Sequence, residues 1–259
     1  MSLVDNVVNY DPIASAYSSS VSEAESIILV LEQLMLQHLC KGAHILDIGC
    51  AHRHIVKQLH IRGYQTTGID ISEELLRIAR ANAPESKFIF GDIRELELQP
   101  IYNAVISRDV FCHLLNLEEL TTVFQKVYGA MHDNGLFVFT TPGADFTWRE
   151  TLCKGVPDFE TVSVNGCDVS GRYVFIEKHY NYNREERIRE VKYTSVELIN
   201  EVWKRSDTTM LAKDYFVSEI KSALVNAGFI EINEYDSRDF GDNTPISFPC
   251  FVCRKPSLT

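Results

Sequence analysis

Apolar and polar positions along this chain follow two different periods. Before residue 43, apolar side chains recur every three or four positions, as at Ile27, Leu31 and Leu34, which predicts an amphipathic helix beginning near Ser22. From residue 43, short apolar runs alternate with helical patterns, and the runs predict strands with the sequences HILDIG, QTTGIDI, KFIFGD, YNAVIS and GLFVFTT. Strands that are apolar on both faces indicate a parallel sheet covered by helices on both sides.

After Pro142 the pattern changes. Residues 171–193 alternate polar and apolar positions around NREE, which predicts two antiparallel strands, and the segment VELINEVWKRSD is predicted to continue that layer. A helical pattern then returns in VSEIKSALVNAGF and ends at Gly228, and FIEINEY and SFPCFVC are predicted as the last strands. The chain is therefore predicted as one α/β domain with an insertion. Its predicted parts are an N-terminal lid and helix (1–42), a core (43–143 and 214–259) and an inserted cap (144–213).

Composition and charge narrow the class of protein. The 259 residues are 45% hydrophobic and 24% charged, as in an ordinary globular protein, and the net charge is −11. A nucleic-acid binder concentrates positive charge, so nucleic acid is not an expected partner. We expect neither a signal peptide nor a membrane span, because no apolar run approaches the ~18 residues that a spanning helix needs. Seven cysteines without regular spacing favour reduced thiols and a cytoplasmic location.

Two short patterns resemble metal or redox motifs. Cys250 and Cys253 form a C-x-x-C pair, but they lie on a predicted strand, where positions three apart face opposite sides. His52 and His54 form an H-x-H pair at a predicted helix start, where the two side chains diverge and no neighbouring ligand completes a site. The cysteines are therefore predicted as two buried strand thiols, and the histidines as solvated residues or a polar lining of the cleft, and no metal site is expected.

Polar residues follow the predicted strands at the edge where ligands bind to open parallel sheets. Asp47 and Gly49 follow the first strand, Asp70 the second, Asp92 the third, and residues 107–109 the fourth. The loop GCAHRH lacks the later glycines that let a dinucleotide pyrophosphate approach the backbone, and Asp47 would repel that group. A cofactor without phosphate, with a ribose and a cationic amino-acid end, fits better. Asp70 lies 23 residues after Asp47, near the spacing of a ribose-hydroxyl acceptor.

These segments together resemble a known family. The order LDIGCA, GIDIS, FGDIREL, YNAVISRDVFCHL and NGLFVFTTP resembles class I S-adenosylmethionine-dependent methyltransferases over residues 43–142, and NYDPIASAY is similar to the lid of members that act on small molecules. The resemblance implies a Rossmann-like seven-stranded sheet with helices on both faces and an antiparallel insertion after the fifth strand. It also implies S-adenosyl-L-methionine as cofactor and in-line methyl transfer to a small-molecule acceptor.

The resemblance also assigns residues to the cofactor. Asp70 would bind both ribose hydroxyls, Asp92 would accept from the adenine amino group, and Ile71 and Ile93 would pack against the adenine ring. Arg53 is left open between the cofactor carboxylate and the protein surface. The implied cofactor residues are Tyr17, Asp47, Gly49, Cys50, Ala51, Asp70, Ile71, Asp92, Ile93, Ser107 and Arg108.

The sequence indicates the residues that would contact the methyl acceptor less clearly than those that would bind the cofactor. His113 and Asp109 are candidate general bases; alternatively, His113 packs beneath a helix and Asp109 caps the following turn. The implied acceptor-pocket residues are Tyr10 from the lid and Phe146, Trp148 and Tyr173 from the insertion. Because the leaving group is neutral, positioning matters most, and the sequence does not choose among oxygen, nitrogen and carbon acceptors. A homodimer is one expected assembly.

The chain departs from the family pattern at three positions. Ala51 and Arg53 replace glycines of the loop. Alanine adds only a methyl group and is expected to be tolerated where φ is negative, whereas arginine does not readily copy a glycine with positive φ. Asn103 replaces an acid at the start of the fourth strand, where the role is expected to be structural. Because of these departures, the alternative that the protein is a catalytically inactive cofactor-binding scaffold of the same fold stays open. An NAD-dependent oxidoreductase is disfavoured by the glycine pattern.

Overall fold

The computed structural model describes residues 8–20, 24–52, 55–143, 161–165, 173–240 and 249–257. The predicted helix start near Ser22, together with Arg53, His54, Phe146 and Trp148, lies outside the described residues.

The chain forms eleven strands and six α-helices within the described ranges. The strands are β1 His44–Ile48, β2 Gln65–Asp70, β3 Lys87–Phe90, β4 Tyr102–Arg108, β5 Met131–Thr140, β6 Thr161–Asn165, β7 Tyr173–Asn183, β8 Ile188–Ile199, β9 Val202–Lys213, β10 Ile230–Asp236 and β11 Pro249–Arg254. The helices are α1 Ala14–Ser20, α2 Ala24–Leu34, α3 Ile55–Ile61, α4 Glu73–Asn82, α5 Leu117–Ala130 and α6 Val217–Ala227. Short 3₁₀ turns include Asp11–Ile13 and Phe111–His113.

Seven strands form one sheet in the order β10-β11-β5-β4-β1-β2-β3. The strands β1 to β5 pair in parallel, whereas β11 is antiparallel to both β5 and β10. The strands β2 and β3 lie on one side of β1, whereas β4 and β5 lie on its other side. The strand order therefore reverses between β1 and β4. A ligand cleft is expected at the carboxyl ends of these strands because the loops diverge there.

Each face of this sheet has its own apolar core. Leu46, Val105 and Phe137 pack with α5 and α6 on one face, while Ile45 and Ala104 pack with α2 and α3 on the other. The alternation follows from the period of two along a strand. Together with the four-stranded antiparallel sheet described below, this arrangement confirms the predicted fold.

The C-x-x-C cysteines fit the same alternation. Cys250 is buried in the α2 core and Cys253 in the α5 core, so the two thiols lie on opposite faces of the sheet. The interpretation of both as buried strand thiols is confirmed. Burial raises the pKa of the Cys253 thiol well above its ordinary value, which keeps it protonated.

A second sheet of four antiparallel strands, in the order β6-β7-β8-β9, lies between β5 and α6 in the chain. The predicted hairpin around NREE joins β7 to β8 at residues 184–187. The segment VELINEVWKRSD does continue this layer, but it does so through a tight turn at Asn200 and Glu201, whose φ values are +50° and +65°. Two positive φ values in succession match the right-handed twist of a two-residue hairpin.

Two helices begin or end at the residues that the sequence predicted. The Ser72 side chain accepts a hydrogen bond from the Leu75 amide at 3.1 Å and begins α4, and Gly228 ends α6 with φ +101°. Asn103 Oδ1 accepts from the His44 amide at 2.8 Å, which ties the start of β4 to the start of β1. The structural role expected for Asn103 is confirmed.

Candidate active site

The loop between β1 and α3 is held by hydrogen bonds to the end of β2. The amides of Gly49 and Cys50 donate to the Ile69 carbonyl at 2.8 and 3.0 Å, and the Ala51 amide donates to Asp70 Oδ2 at 2.8 Å. Ala51 has φ +46°, so the negative φ under which alanine was expected to be tolerated is not found at this position. The hydrogen bond to a buried carboxylate offsets the cost of that left-handed conformation, which alanine tolerates less well than glycine.

Gly49 is required by the approach of a second loop. Its φ is +71°, and a Cβ atom built on it would lie 2.1 Å from Val110 Cγ2. Val110 follows β4, so the loops after β1 and β4 meet at this glycine. Any larger side chain would separate them or displace Val110.

Asp70 organises the β2 end of the cleft. Its side chain is buried at 7% exposure; Oδ2 binds the Ala51 amide, and Oδ1 accepts from the Ser72 amide at 2.9 Å. The structure therefore gives Asp70 a role in fixing the loop in addition to its predicted role toward a ribose.

Three predicted residues line one pocket at the carboxyl ends of β1 and β4. These are Asp47, Ser107 and Arg108. Asp47 and Ser107 are each 5% exposed, and the Ser107 hydroxyl donates to the Ile48 carbonyl at 3.0 Å. The rest of the lining is Ile27, Val30, Leu31, Ile55, Ile106, Val138, Phe139, Thr140 and Cys250. The carboxylate of Asp47 and the guanidinium of Arg108 thus line the same pocket, whose walls are mostly apolar.

Asp92, after β3, has a partner that the sequence did not predict. Its Oδ2 accepts from Arg94 Nε at 2.9 Å and Nη2 at 2.6 Å, and its Oδ1 accepts from the Arg94 amide at 2.9 Å. Burial pushes the pKa of the Asp92 carboxyl up, but the hydrogen bonds and charge of Arg94 outweigh it and hold the pKa below its ordinary value. Ile93 is buried in the α5 core, and Ile71 is half-buried beside Asp70. The adenine contacts predicted for these residues remain predictions.

His113 is mostly buried and makes two polar contacts. Its Nδ1 lies 3.0 Å from the Leu211 carbonyl on β9, and its Nε2 lies 3.3 Å from the Tyr10 hydroxyl. A carbonyl only accepts, so Nδ1 carries the proton and Nε2 presents its lone pair to the Tyr10 hydroxyl. Burial lowers the pKa of His113 below its ordinary 6.5, although the Leu211 carbonyl partly opposes this shift. His113 is therefore neutral near pH 7, as a general base requires.

Asp109 is positioned by β5. It has φ +57°; its amide donates to the Thr140 carbonyl at 3.0 Å, and its Oδ1 accepts from the Thr140 hydroxyl at 2.9 Å. The 3₁₀ turn Phe111–His113 has no side-chain cap, so the alternative that Asp109 caps this turn is wrong. The Thr140 hydroxyl is the better partner because the left-handed conformation turns Asp109 toward β5.

The N-terminal segment covers this edge of the sheet. Tyr10 and Tyr17 form an aromatic cluster with Tyr193 of β8, with ring centroids 5.2 to 6.3 Å apart, and Tyr17 lies edge-on to His52. Asp11 Oδ1 accepts from the Ser72 hydroxyl at 2.5 Å and from the Glu74 amide at 3.2 Å, at the start of α4. The segment therefore bridges the core and the four-stranded sheet.

We expect replacement of Asp11 by Ala to loosen this segment. The lost charge-assisted hydrogen bonds are worth about 1.5 kcal/mol, so amides of residues 8–20 should exchange about tenfold faster. Hydrogen exchange by mass spectrometry measures this directly, with Asp133→Ala, an exposed site at the start of β5, as the matched control. Exchange at 8–20 equal to wild type would contradict a lid fastened at α4.

The remaining predicted residues are placed as follows. Cys50 is 1% exposed, packs beneath the loop against Leu76, and has a thiol pKa raised by burial and by nearby carboxylates. Tyr173 is described by its backbone on β7, opposite Glu197. In the described part of the chain no group of three or more His, Cys, Asp or Glu could hold a metal ion. Sequence reasoning missed Leu211 and Tyr193, because no local pattern signals partners so distant in the chain. It also missed Arg94, although Arg94 lies only two residues from its partner Asp92.

The donor set tests whether S-adenosylmethionine fits this edge. The carboxylates of Asp47 and Asp70 are both buried here and would repel a pyrophosphate, whereas they suit an ammonium group and ribose hydroxyls. The sheet order and this donor set define a class I S-adenosylmethionine-dependent methyltransferase. Residues 25–198 match the family described as a methyltransferase domain, and the chain belongs to that family. The recognition made from the sequence is confirmed.

Individual relatives agree with this assignment. A putative methyltransferase of Geobacillus sp. is 29% identical over 140 residues, which cover 51% of this chain and 57% of that protein. The structure resembles a methyltransferase from Clostridium acetobutylicum, with a TM-score of 0.72, 16% identity and 96% coverage of both chains. It also resembles CalS10, an amino pentose methyltransferase from Micromonospora echinaspora, with a TM-score of 0.67, 16% identity and coverage of 93% and 95%. At this identity the two structures support the fold alone.

Proposed function

We propose that this protein transfers a methyl group from S-adenosylmethionine to a small-molecule acceptor. The observation that carries the proposal is the pair of buried carboxylates, Asp47 and Asp70, at the ends of adjacent strands on either side of the Gly49 loop. This pair offers acceptors for a cationic amino-acid end and for a ribose. Binding would be completed by the residues predicted above, from Tyr17 in the lid to Arg108 after β4.

The cofactor supplies an electrophilic methyl group on a sulfonium, whose departure leaves a neutral thioether. The chain's residues then have three tasks: to hold the cofactor, to align the acceptor, and to exclude water. Asp70 and the Ala51 amide fix the loop, and Tyr10 and Tyr17 close over it. Such positioning needs no group that stabilises a large developing charge.

The acceptor would lie between the core and the inserted cap, residues 144–213, beneath the lid formed within residues 1–42. Support comes from the face of the four-stranded sheet that carries Val191, Tyr193 and Met210, which packs against the N-terminal segment and the His113 turn. Tyr10, Phe146, Trp148 and Tyr173 are the proposed acceptor-side aromatic residues. A small molecule suits a pocket enclosed by a lid, and CalS10, which shares the fold, acts on an amino pentose.

The proposal also covers the location, the partners and the assembly of the protein. We propose a cytoplasmic enzyme without nucleic-acid or membrane partners, with a homodimer as its proposed assembly. Five described cysteines are free thiols, four of them buried, and the net charge of −11 disfavours a polyanion. No helix in the described ranges is long and apolar enough to cross a membrane.

Calorimetric titration with S-adenosylhomocysteine and with NAD tests the cofactor assignment, and transfer of a labelled methyl group to a panel of amine, phenol and sugar acceptors tests the reaction. We expect binding of the first ligand alone and transfer to at least one acceptor. Tight S-adenosylhomocysteine binding without transfer to any acceptor would favour the inactive scaffold, which no observation here supports.

His113 is proposed as the base for a hydroxyl or acidic-carbon acceptor, with Nε2 as the accepting atom. Replacement by Gln should then reduce kcat about 100-fold with little change in cofactor affinity. The pH–rate profile should also lose its acidic limb. If kcat per folded molecule stays near wild type while melting temperature falls, His113 serves packing only, as the sequence left open.

The lowered pKa of His113 also predicts a pH dependence of stability. The unfolded histidine takes up a proton near pH 6.5, whereas the folded one resists it, so unfolded molecules bind more protons in the window below pH 6.5. The free energy of unfolding should therefore fall as pH drops through that window. Urea denaturation at several pH values should show a smaller decline in His113→Gln than in wild type.

A further inference from the structure

The end of β9 and the residues after it hold the turn that carries the proposed base. The carbonyl of Leu211 lies 3.0 Å from His113 Nδ1, and the Tyr215 hydroxyl donates to the Leu114 carbonyl at 2.7 Å. Leu114 directly follows His113 and ends the 3₁₀ turn Phe111–His113. Residues 211–215 therefore fix this turn twice, once through the imidazole ring and once through the main chain next to it.

Tyr215 is itself held firmly. It is 0% exposed and belongs to the α5 core, as does Leu114. Its backbone bridges to Gly143 after β5, and the residue before it, Asp214, forms a buried ion pair with Arg189. A buried carbonyl that loses its donor is strongly destabilised, because water does not replace the lost bond. The Leu114 carbonyl is therefore fastened to a rigid partner.

Other contacts of the turn come from different elements. The Leu115 amide donates to Glu119 Oε2 at 3.1 Å, at the start of α5, and the Tyr10 hydroxyl of the lid lies 3.3 Å from His113 Nε2. The titratable or charged side chains around the turn are Tyr10, Arg94, Asp109, Cys112, Arg189 and Tyr193. The Tyr215 hydroxyl holds the main chain at the point where the His113 turn leads into α5.

We propose that Tyr215 is a positioning residue for His113, which it places through the Leu114 carbonyl. This proposal rests on the proposed function, in which His113 Nε2 accepts a proton from the methyl acceptor. A general base must lie within hydrogen-bonding reach of that proton, and a displacement of about 1 Å lowers a rate by about 100-fold. Neither the sequence motifs nor the family resemblance assigned a role to Tyr215.

Tyr215→Phe tests the proposal by removing one oxygen atom. The ring that fills the α5 core remains, whereas the Leu114 carbonyl loses its donor and turns away together with the adjoining His113. With the compound that wild type methylates in the panel of amine, phenol and sugar acceptors, kcat should fall about 10-fold or more. Calorimetric affinity for S-adenosylhomocysteine should stay within about twofold of wild type, because no cofactor contact changes.

A second readout needs neither cofactor nor acceptor. Nuclear magnetic resonance follows the titration of the His113 ring, and His113→Gln identifies its signal. Burial lowers the pKa of His113 and outweighs the opposing Leu211 carbonyl, so a turn that loosens and admits water should raise this pKa toward 6.5. A general base works in its neutral form, so the acidic limb of the pH–rate profile should move to higher pH by the same amount.

Tyr64→Phe is the matched control. Tyr64 is 5% exposed, and its hydroxyl donates to the Leu36 carbonyl at 3.2 Å in the α2 core, on the opposite face of the sheet from Tyr215. Both variants lose one buried hydrogen bond from a tyrosine to a carbonyl, so both melting temperatures should fall. Only Tyr215→Phe should change kcat and the pKa of His113.

Three results would overturn the positioning role. They are a His113 pKa in Tyr215→Phe equal to that of wild type, an unchanged kcat, and a loss of kcat in Tyr64→Phe as large as that in Tyr215→Phe. If wild type binds no S-adenosylhomocysteine or methylates no compound of the panel, the proposed function fails instead, and the titration of His113 still decides whether Tyr215 holds the turn. A lowered kcat together with a raised His113 pKa, both confined to Tyr215→Phe, supports the role.

Discussion

Replacing Asp70 by Ala is expected to weaken S-adenosylhomocysteine binding by about 100-fold or more. The proposed ribose contact alone is a charge-assisted interaction worth about 1.5–3 kcal/mol. The structure adds a second cost, because the same carboxylate holds the Ala51 amide at 2.8 Å and the Ser72 amide at 2.9 Å. Without it, Ala51 loses the bond that compensates its left-handed conformation, and the loop around Gly49 is free to relax away from the cofactor.

Two further variants separate these contributions. Asp70→Asn retains one carbonyl oxygen and should lose less affinity than Asp70→Ala, whereas Asp133→Ala, at an exposed position, should match wild type. Calorimetry measures the affinity for S-adenosylhomocysteine, and the change in melting temperature measures how much the Asp70 contacts to the loop stabilise the fold. Wild-type affinity in Asp70→Ala would mean that the ribose lies elsewhere.

The sequence predicted the elements whose signals are local. The roles of Ser72 at the start of α4 and of Gly228 at the end of α6 are predicted correctly, because a helix cap depends on a few neighbouring residues. The strands β1, β2, β4 and β5 are recovered because burial on both faces leaves apolar runs. The edge strand β3 is only partly buried and is recovered from its aromatic and β-branched residues. Asn103 is also read correctly, since its bond to the His44 amide needs only one oxygen, which an amide and a carboxylate both provide.

The sequence failed where a partner comes from a distant element. Ala51 adopts φ +46° because Asp70, 19 residues away, captures its amide. Asp109 turns to the Thr140 hydroxyl, 31 residues away, instead of capping its own turn. The tautomer of His113 is set by a carbonyl of β9, 98 residues away. Each of these depends on the folded sheet, which no periodicity encodes.

A buried ion pair is a further interaction that the sequence did not reveal. Arg189 on β8 and Asp214, directly after β9, are 3% and 0% exposed and form a hydrogen-bonded salt bridge. Asp214 also anchors the backbone, since its amide donates to the Arg187 carbonyl at 2.9 Å. Arg187 in turn binds Glu219 of α6 at 2.6 Å. These contacts tie the four-stranded sheet to the segment that enters the core through α6.

Asp214→Asn is therefore expected to destabilise the fold by about 3–5 kcal/mol, because it leaves the Arg189 charge buried without its counter-charge. Urea denaturation followed by circular dichroism measures this free energy. Asp207→Asn makes the same chemical change in the exposed pair with Arg205 and should cost less than about 1 kcal/mol. The double variant Arg189→Met with Asp214→Leu should recover much of the loss, because it removes both charges and keeps apolar volume. A cost of Asp214→Asn no larger than that of Asp207→Asn would show that the buried charge of Arg189 is stabilised without Asp214 and that the pair does not fasten this sheet to the core.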